Sequence, residues 1–411
     1  MLDDGGFGRP RRRRGSGNVL THAIMTLLGA ALAAGLLLAF YSPASGSSLP
    51  GSGAVPSPGS SAAPLTGGEQ GIVTKIEPGL VIINTTLQYD SEAAAGTGMV
   101  LNADGLVLTN NHVIEGSTKV SATLVSTGKT YPATVVGYDK TGDVALIQLQ
   151  DASGLTTVPI GNSASVKVGN TVVALGNAEG QGSITATIGQ VTGLNQTITA
   201  SDEGGSTTSE TLNGMIQTNA DIVPGDSGGP LASSAGVIGM DTAGNDANDQ
   251  QASTGFAIPI DTALAVARQI AGGRASSVIT IGYPPFVGIF IGSGSSSSPQ
   301  AQAQQEGQQS GSGSTPACST SNSDLAVPSA IAPVSSGTLI IGTICGSPAA
   351  SAGITGGAVI TAVNGQAVGS PDDLAGILSR FHPGDTISVT WVSPSGQRTT
   401  SRLHLTAGPP Q

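Results

Sequence analysis

Aromatic and charged residues are both scarce in this sequence, at 3% and 10% of its residues. Long solvent-exposed helices need many charged side chains, so this scarcity argues against a mainly helical protein. The 61 glycines instead favour short strands joined by many tight turns. Basic residues are outnumbered as well, and the net charge of −11 disfavours a nucleic-acid partner.

Cysteine is almost absent: only Cys318 and Cys345 occur. Two cysteines this far apart lack the clustered spacing of a zinc site, and we predict neither a metal nor an organic cofactor. In an extracytoplasmic compartment the pair could form one disulfide, and two separate thiols are the alternative.

The segment between residues 15 and 68 contains no Asp, Glu, Lys or Arg. Within it, residues 19–41 are almost wholly apolar, and as a helix they would be roughly 35 Å long, enough to span a membrane. The Arg-rich residues 1–18 then form a cytoplasmic tail, which places the rest of the chain outside the cytoplasmic membrane. A cleaved signal peptide is the alternative, but the length of the apolar run favours a retained anchor. Residues 42–68, rich in Ser, Gly, Pro and Ala, predict a disordered linker.

Residues 69–275 contain many short β-branched runs separated by Gly, Asn and Asp, a pattern typical of an all-β barrel or sandwich. The most specific signal in this region is PGDSGGPL, with Ser227 at its centre. Gly225 permits a tight turn that can direct the amides of Gly225 and Ser227 into one small space. Paired donors of this kind stabilise the oxyanion of acyl transfer, so Ser227 is the candidate nucleophile.

A serine nucleophile needs a base and a group that orients the base. Of the four histidines, His22 lies in the apolar segment, and His382 and His404 belong to the C-terminal domain. His112, in LVLTNNHVI, is therefore the candidate base. Asp143, in TGDVALIQL, is the candidate orienting acid, because an acid that heads a buried apolar strand needs a partner.

The nearby Asp139 and Asp151 lack this setting and are interpreted as solvated turn residues. The chain order His, Asp, Ser is that of the chymotrypsin-type triad. We therefore predict a serine endopeptidase. The alternative is a non-catalytic chaperone or adaptor that only holds polypeptides, but a pure binder has no need of all three residues.

Four motifs, GTGMVLNADGLVLTNNHVI, GYDKTGDVALIQL, PGDSGGPL and TGFAIPI, closely resemble the HtrA/DegP family of extracytoplasmic serine proteases, most of all its actinobacterial PepA branch. The resemblance extends from about residue 71 to the C-terminus. It implies two perpendicular β-barrels with His112 as general base, Asp143 as its orienter, Ser227 as nucleophile and Gly225 as an oxyanion donor. It also implies homotrimers and, as substrates, misfolded, unfolded or exported polypeptides.

Two residues depart from the family pattern. Asp226 replaces the Asn that many members have before the serine. Trypsins pair this Asp with a new N-terminus, but no activation site is visible here, so we expect Asp226 to hydrogen-bond within its own loop. Asp221 lies where trypsins place the acid that selects Lys or Arg at P1. We favour a differently shaped loop in which Asp221 does not line the pocket.

The remaining segment, residues 280–407, resembles a PDZ-like α+β domain of the HtrA type. Phe286, Val287, Gly288 and Ile289 match the loop that binds a peptide C-terminus through backbone N–H groups, and a peptide could then add as a strand beside it. A PDZ domain that captures nothing is the alternative. An insert at about residues 292–315 has a composition that predicts disorder, and a bridge between Cys318 and Cys345 would confine it to one side.

Overall fold

The computed structural model describes residues 65–87, 92–201, 209–243, 254–291, 296–306, 318–320 and 325–410. The predicted cytoplasmic tail (1–18), membrane helix (19–41) and most of the linker (42–68) lie outside these residues. Within the described ranges, no helix combines the length and hydropathy needed to cross a membrane. The first helix, α1 (Gly67–Ile76), begins inside the predicted linker, where Thr66 and Glu69 form a capping box.

Six strands form the first β-barrel. Burial alternates along β4 and most of β5, because one face of each strand lines the core, whereas β1, β3 and β6 contain continuous buried runs. Pairing of β5 with both β4 and β6 closes the ring. The strands are β1 (Leu80–Leu87), β2 (Glu92–Val100), β3 (Leu106–Thr109), β4 (Lys119–Leu124), β5 (Thr130–Asp139) and β6 (Val144–Leu149). The four-residue helix α2 (Asn111–Ile114) follows β3 directly.

A second group of six strands closes into another barrel, in the order β10-β11-β12-β9-β8-β7. The strands are β7 (Thr171–Gly176), β8 (Thr185–Ser201), β9 (Ser209–Thr218), β10 (Pro230–Ser233), β11 (Gly236–Ala243) and β12 (Gly255–Pro259). This architecture agrees with the two barrels that the family resemblance implies.

Helix α3 (Ile260–Ala271) packs against strands of both barrels, burying Ile260, Ala263, Ala267 and Ile270. The next strand, β13 (Ile279–Ile281), pairs with β5 of the first barrel. The barrel region therefore extends to Ile281, beyond the predicted boundary at residue 275, because the chain returns to the first barrel after the helix.

The C-terminal domain is built on a sheet of order β15-β16-β17-β19-β20, with the short helices α5 (Pro348–Ser351) and α6 (Pro371–Leu378). Two further short pairings join β14 to β21 and β17 to β18. The strands are β14 (Pro285–Phe286), β15 (Ile289–Ile291), β16 (Thr338–Thr343), β17 (Val359–Val363), β18 (Gln366–Ala367), β19 (Thr386–Val392), β20 (Arg398–His404) and β21 (Thr406–Ala407).

The prediction of a wholly disordered insert at 292–315 is wrong for part of its length. Helix α4 (Pro299–Glu306) lies within it and packs against β16. The fully buried Gln302 side chain donates to the Gly337 carbonyl and accepts from the Leu339 amide, where β15 no longer pairs with β16. One side-chain amide thus forms hydrogen bonds with a carbonyl and an N–H of β16 and its preceding residue that β15 leaves unpaired. Composition alone does not predict such an arrangement.

Candidate active site

His112 and Asp143 form a close contact at the end of the first barrel. Helix α2 carries His112, whose Nδ1 lies 3.0 Å from Asp143 Oδ2 and 3.1 Å from Oδ1. The His112 backbone N–H also donates to Asp143 Oδ1, at 3.1 Å. The imidazole is 30% exposed, whereas the carboxylate is only 2% exposed. The aspartate is therefore enclosed, and the histidine can reach a substrate.

The backbone conformation of Asp143 and two further contacts hold it in its orientation. It heads β6 with a left-handed φ of 49°, a conformation that Asp adopts more readily than most residues. The buried Asn110 side chain donates to its carbonyl oxygen at 2.9 Å. The Thr242 hydroxyl, from β11 of the second barrel, donates to Asp143 Oδ2. The contact with Thr242 ties the acid of one barrel to the other barrel.

Ser227 reaches the same place from the second barrel. Its Oγ donates to the Thr242 carbonyl at 3.4 Å, and its own carbonyl accepts from Thr97 N–H of β2 at 2.9 Å. One residue, Thr242, therefore contacts both Asp143 and Ser227. The structure places the three predicted catalytic residues around one junction between the barrels.

The loop of residues 223–229, called here the Ser227 loop, has nearly all of its peptide groups hydrogen-bonded. Every carbonyl from Val223 to Ser227 accepts a hydrogen bond. Within the loop, Asp226 N–H donates to the Val223 carbonyl and Gly229 N–H donates to the Asp226 carbonyl. From outside the loop, Glu179 N–H donates to the Pro224 carbonyl, and Thr97 donates through its hydroxyl to the Gly225 carbonyl and through its N–H to the Ser227 carbonyl. Among the described residues, the amides of Gly225 and Ser227 have no hydrogen-bond partner. Buried or half-buried amides without partners are rare, so these two are available to a ligand.

Glycine is required at two points of this loop. Gly225 has a φ of 96°, and a Cβ there would lie 2.1 Å from the Asn177 carbonyl oxygen. Gly228 has a φ of 82°, and a Cβ would lie 2.1 Å from the Thr97 carbonyl oxygen. The loop therefore approaches backbone of both barrels closely, as only glycine allows.

Asp226 behaves as its sequence setting predicts: its Oδ2 accepts from Val223 N–H of the same loop at 3.0 Å. Its Oδ1 has no partner in the described part of the chain. Burial raises the pKa of Asp226 to about 6; the bond from Val223 lowers this pKa and the charge of Asp221 raises it. Asp226 therefore changes its charge just below neutral pH.

Sequence reasoning missed a further buried acid, Asp241 in β11. It is fully buried, and neither carboxyl oxygen has a partner among the described residues. Burial, with a smaller contribution from the charge of Asp226, raises the pKa of Asp241 well above its usual value. Burial therefore favours the protonated, neutral form of Asp241. An acid inside the apolar run VIGMDT was a detectable signal, because such an acid must be paired or neutral.

Thr242 was missed as well, and no sequence pattern marks it. Asp221, in contrast, was considered, and the structure gives its backbone a contact: its carbonyl accepts from the Thr187 hydroxyl at 2.9 Å. Its influence on P1 preference stays a prediction.

Next to Gly225 there is a cavity of about 510 Å³, whose lining includes Thr85, Ala95, Glu179 and Pro224.

In the C-terminal domain, residues 286–289 form a turn, called here the Gly288 loop. The Val287 carbonyl accepts from Ala349 N–H, and the Gly288 carbonyl accepts from Ile344 N–H and the Ser347 hydroxyl. β15 is the edge strand of its sheet. Because Gly288 faces Ile344 as a hydrogen-bonded pair, the backbone groups of Ile289 point to the free edge.

Cys318 and Cys345 are joined in a disulfide. The bridge holds Ser319 against β16, where Ser319 N–H donates to the Thr343 carbonyl and Cys345 N–H donates to the Ser319 carbonyl. The end of the insert is thus attached next to Ile344, a neighbour of the Gly288 loop. Within the described residues, no three His, Cys, Asp or Glu side chains converge to hold a metal ion.

Comparison with known proteins gives matches to both parts of the chain. Residues 96–240 match the trypsin-like peptidase domain, and residues 341–392 match the PDZ domain. The serine protease PepD of Mycobacterium tuberculosis is 32% identical over 350 residues, which cover 80% of this chain and 64% of PepD. The chain thus spans less than two thirds of PepD.

The serine protease Do-like HtrA of Lactococcus lactis subsp. cremoris is 31% identical over 329 residues, which cover 78% of this chain and 72% of that protein. A solved structure described as the HtrA-type protease AlgW with tripeptide is 26% identical, covers 83% of this chain and 98% of its own, and has a TM-score of 0.43.

Proposed function

Because this chain belongs to the HtrA (Do-like) family of serine proteases, we propose that it is a serine endopeptidase that hydrolyses misfolded or exported polypeptides outside the cytoplasmic membrane. One observation carries the proposal: the amides of Gly225 and Ser227 are the two unbonded N–H groups of an otherwise hydrogen-bonded loop, and the His112–Asp143 pair lies at the same junction.

The contacts of Asp143 assign the first step. Its carboxylate accepts hydrogen bonds from the His112 backbone N–H and from the Thr242 hydroxyl. Because the same carboxylate acts as an acceptor towards His112 Nδ1, 3.0 Å away, Nδ1 carries the ring proton. The other ring nitrogen, Nε2, is then unprotonated and can take the Ser227 hydroxyl proton as the oxygen attacks the scissile carbonyl. His112 afterwards returns this proton to the leaving amine, and water releases the acyl group from Ser227.

The Ser227 loop supplies the electrostatic part of the reaction. Attack places a negative charge on the former carbonyl oxygen of the substrate. The amides of Gly225 and Ser227 donate to this oxygen, and they do not reorganise because the rest of the loop is already bonded. Donors that are fixed in advance stabilise the transition state more than flexible ones do.

Labelling by a fluorophosphonate probe tests the proposal directly. The wild-type chain should be labelled and should degrade casein, and Ser227→Ala should abolish both. Ser234→Ala, in an exposed turn of the same barrel, should retain both. A wild-type protein that holds unfolded polypeptide without labelling or cleavage would instead be a chaperone or adaptor.

Peptide capture at the PDZ domain is the second part of the proposal. The Gly288 loop and the free edge of β15 together offer the backbone groups that a C-terminal peptide needs to add as a strand. Titration of a fluorescent peptide with a free C-terminus should show saturable binding, and the same peptide with an amidated C-terminus should bind more weakly. The insert follows β15 directly in the chain, so its deletion should change the affinity.

We also propose that residues 19–41 anchor the protein in the membrane. The support is their apolar length after an Arg-rich tail. Membrane pellets washed with alkaline carbonate should retain the full-length chain. N-terminal sequencing that begins after residue 41, with the protein in the medium, would show a cleaved signal instead.

One further property follows the family resemblance. We propose homotrimers, to be tested by light scattering of the purified chain.

We also propose that Asp221 does not set P1 preference, so cleavage sites in casein should not fall mainly after Lys and Arg. A strong preference for those residues would assign Asp221 to the substrate pocket.

A further inference from the structure

Thr97 links the two barrels through its backbone and its side chain. It is a fully buried residue of β2 in the first barrel. Its N–H donates to the Ser227 carbonyl at 2.9 Å. Its hydroxyl donates to the Gly225 carbonyl at 2.8 Å and accepts from Asn177 N–H at 2.9 Å. The hydroxyl therefore donates one bond and accepts one, and both of its partners belong to the second barrel.

The loop of residues 177–182 forms the other side of this arrangement. Glu179 N–H donates to the Pro224 carbonyl at 2.7 Å. The Asn177 side chain supports the loop, because its Oδ1 accepts from Gly182 N–H at 2.7 Å. In a trans peptide the C=O and the following N–H point in opposite directions. The bond from Glu179 therefore directs the Gly225 N–H away from the Glu179 amide.

We propose that Thr97 is a positioning residue for the two amides that bind the oxyanion, and that it acts by joining loop 177–182 to the Ser227 loop; this inference rests on the proposed protease activity. Gly225 and Gly228 have no Cβ to restrict their rotation, so the orientation of the Gly225–Asp226 peptide depends on hydrogen bonds. Without the Thr97 hydroxyl, the Gly225 carbonyl and the Asn177 amide both lose a buried partner.

The test compares Thr97→Val, which keeps the shape but loses the hydroxyl, with Thr97→Ser, which keeps the hydroxyl. The full chain is assayed with a fluorogenic peptide taken from a casein cleavage site. We expect Thr97→Val to lower kcat about 10- to 100-fold with KM within twofold, because the loss falls on the transition state. Its affinity for a boronic acid analogue of that peptide should fall in parallel. Thr97→Ser should restore both quantities to within about threefold of wild type.

Thr218 provides a matched control. It is also fully buried, and its hydroxyl donates to the Gln190 carbonyl and accepts from Ala220 N–H, both at 3.0 Å. Thr218→Val therefore loses an equivalent hydroxyl away from the Ser227 loop, and kcat should stay within twofold of wild type. An equal fall in kcat for both valine variants would overturn the proposal, as would an unimpaired Thr97→Val.

Failure of this inference is distinguishable from failure of the proposed function. A wild-type chain that does not cleave the peptide refutes the protease itself, whereas an active wild type with a normal Thr97→Val refutes only the role of Thr97. If Thr97→Val does not fold, Asn177→Ala is measured instead, since it removes the acceptor for Gly182 N–H. A fall in kcat without a change in KM supports the arrangement, and a wild-type kcat contradicts it.

Discussion

The Ser227 loop of the protease domain and the Gly288 loop of the PDZ domain are each built around a glycine with positive φ, 96° at Gly225 and 75° at Gly288. At each glycine an added Cβ would lie 2.1 Å from another atom. Their supports differ. The Ser227 loop is held by β2 of the other barrel and by loop 177–182, whereas the Gly288 loop is held by residues 344–349 of its own domain.

The site at the Ser227 loop therefore forms only where the two barrels meet, whereas all residues that support the Gly288 loop belong to the PDZ domain. The proposed catalytic junction contains a carboxylate, an imidazole and a serine from different segments, and its hydrogen bonds cross between barrels. The proposed peptide site needs only a turn and a strand edge. Changes that affect one loop should therefore have distinct effects on hydrolysis and on peptide affinity.

The largest effect is expected for Asp143→Asn. The amide keeps the shape but imposes the wrong imidazole tautomer, so kcat should fall by about 10⁴-fold while peptide affinity at the PDZ domain is retained. Asp151 is an exposed aspartate that shares the left-handed backbone, with φ 55°. Asp151→Asn should leave kcat unchanged. Hydrolysis and fluorescence anisotropy measure the two quantities, and equal losses in both variants would contradict the assignment of Asp143.

Gly225→Ala should be next, with kcat lowered about 10²- to 10³-fold. The new methyl group would collide with the Asn177 carbonyl oxygen, and the loop must move its Gly225 amide to relieve the contact. PDZ peptide affinity measures whether the variant is folded. Retained hydrolysis would show that the amide geometry is not needed.

Removal of the disulfide tests whether the Gly288 loop is supported locally. The double variant Cys318→Ser, Cys345→Ser should lower the free energy of unfolding of the PDZ domain by about 2–4 kcal/mol. Trp391, the single tryptophan, lies in this domain and is 7% exposed, so its fluorescence reports this transition. Reductant should destabilise the wild type and leave the double variant unaffected. The kcat for peptide hydrolysis should stay unchanged in the double variant. A clear fall in kcat would show that the active site depends on the PDZ domain.

Gly288→Ala should weaken peptide binding about 10- to 100-fold. The added methyl group meets the Ser347 side chain, whose hydroxyl holds the Gly288 carbonyl. Isothermal titration with the C-terminal peptide measures the change. A loss of hydrolysis as large as that of Gly225→Ala would show that the two loops are coupled.

The last prediction concerns the pH dependence caused by Asp226, a buried acid that the Gly288 loop lacks. Its pKa of about 6 in the folded protein exceeds its unfolded value, so the folded state binds more protons between pH 4 and 6. The contribution of Asp226 to wild-type stability should fall as the pH rises through this range and then level off. Asp226→Asn should gain up to about 3 kcal/mol relative to wild type by pH 7.

Calorimetric unfolding at pH 4 to 7 measures this difference. The exposed Asp104→Asn controls for the loss of one carboxylate. A constant difference between wild type and Asp226→Asn across the pH range would show that Asp226 titrates normally.

Much of the candidate site was predictable because its chemistry depends on residue types at short spacing. PGDSGGPL indicated Ser227, and the elimination of three histidines left His112. Asp143 followed from its place at the start of an apolar strand. Thr97 and Thr242 were not predictable, because a threonine in a β-rich sequence has no signature of its role until its distant partners are known.

The fold followed the same division. Short β-branched runs and glycines predicted a mainly β chain, and the PDZ resemblance predicted the C-terminal domain. The sequence did not predict that β13 pairs with the first barrel, nor that residues 299–306 of the insert form helix α4. Both depend on partners more than 30 residues away, β5 for the strand and Gly337 and Leu339 for Gln302.

The glycine-rich, charge-poor composition and the motifs around His112, Asp143 and Ser227 by themselves determined the fold class and the family resemblance. Only the tertiary structure decided which N–H groups of the Ser227 loop are bonded, and which two, those of Gly225 and Ser227, have no partner among the described residues. The physical reason is that glycine leaves the local backbone unrestricted, so its conformation is set by hydrogen bonds from Thr97 and Glu179, residues that lie far away in the sequence.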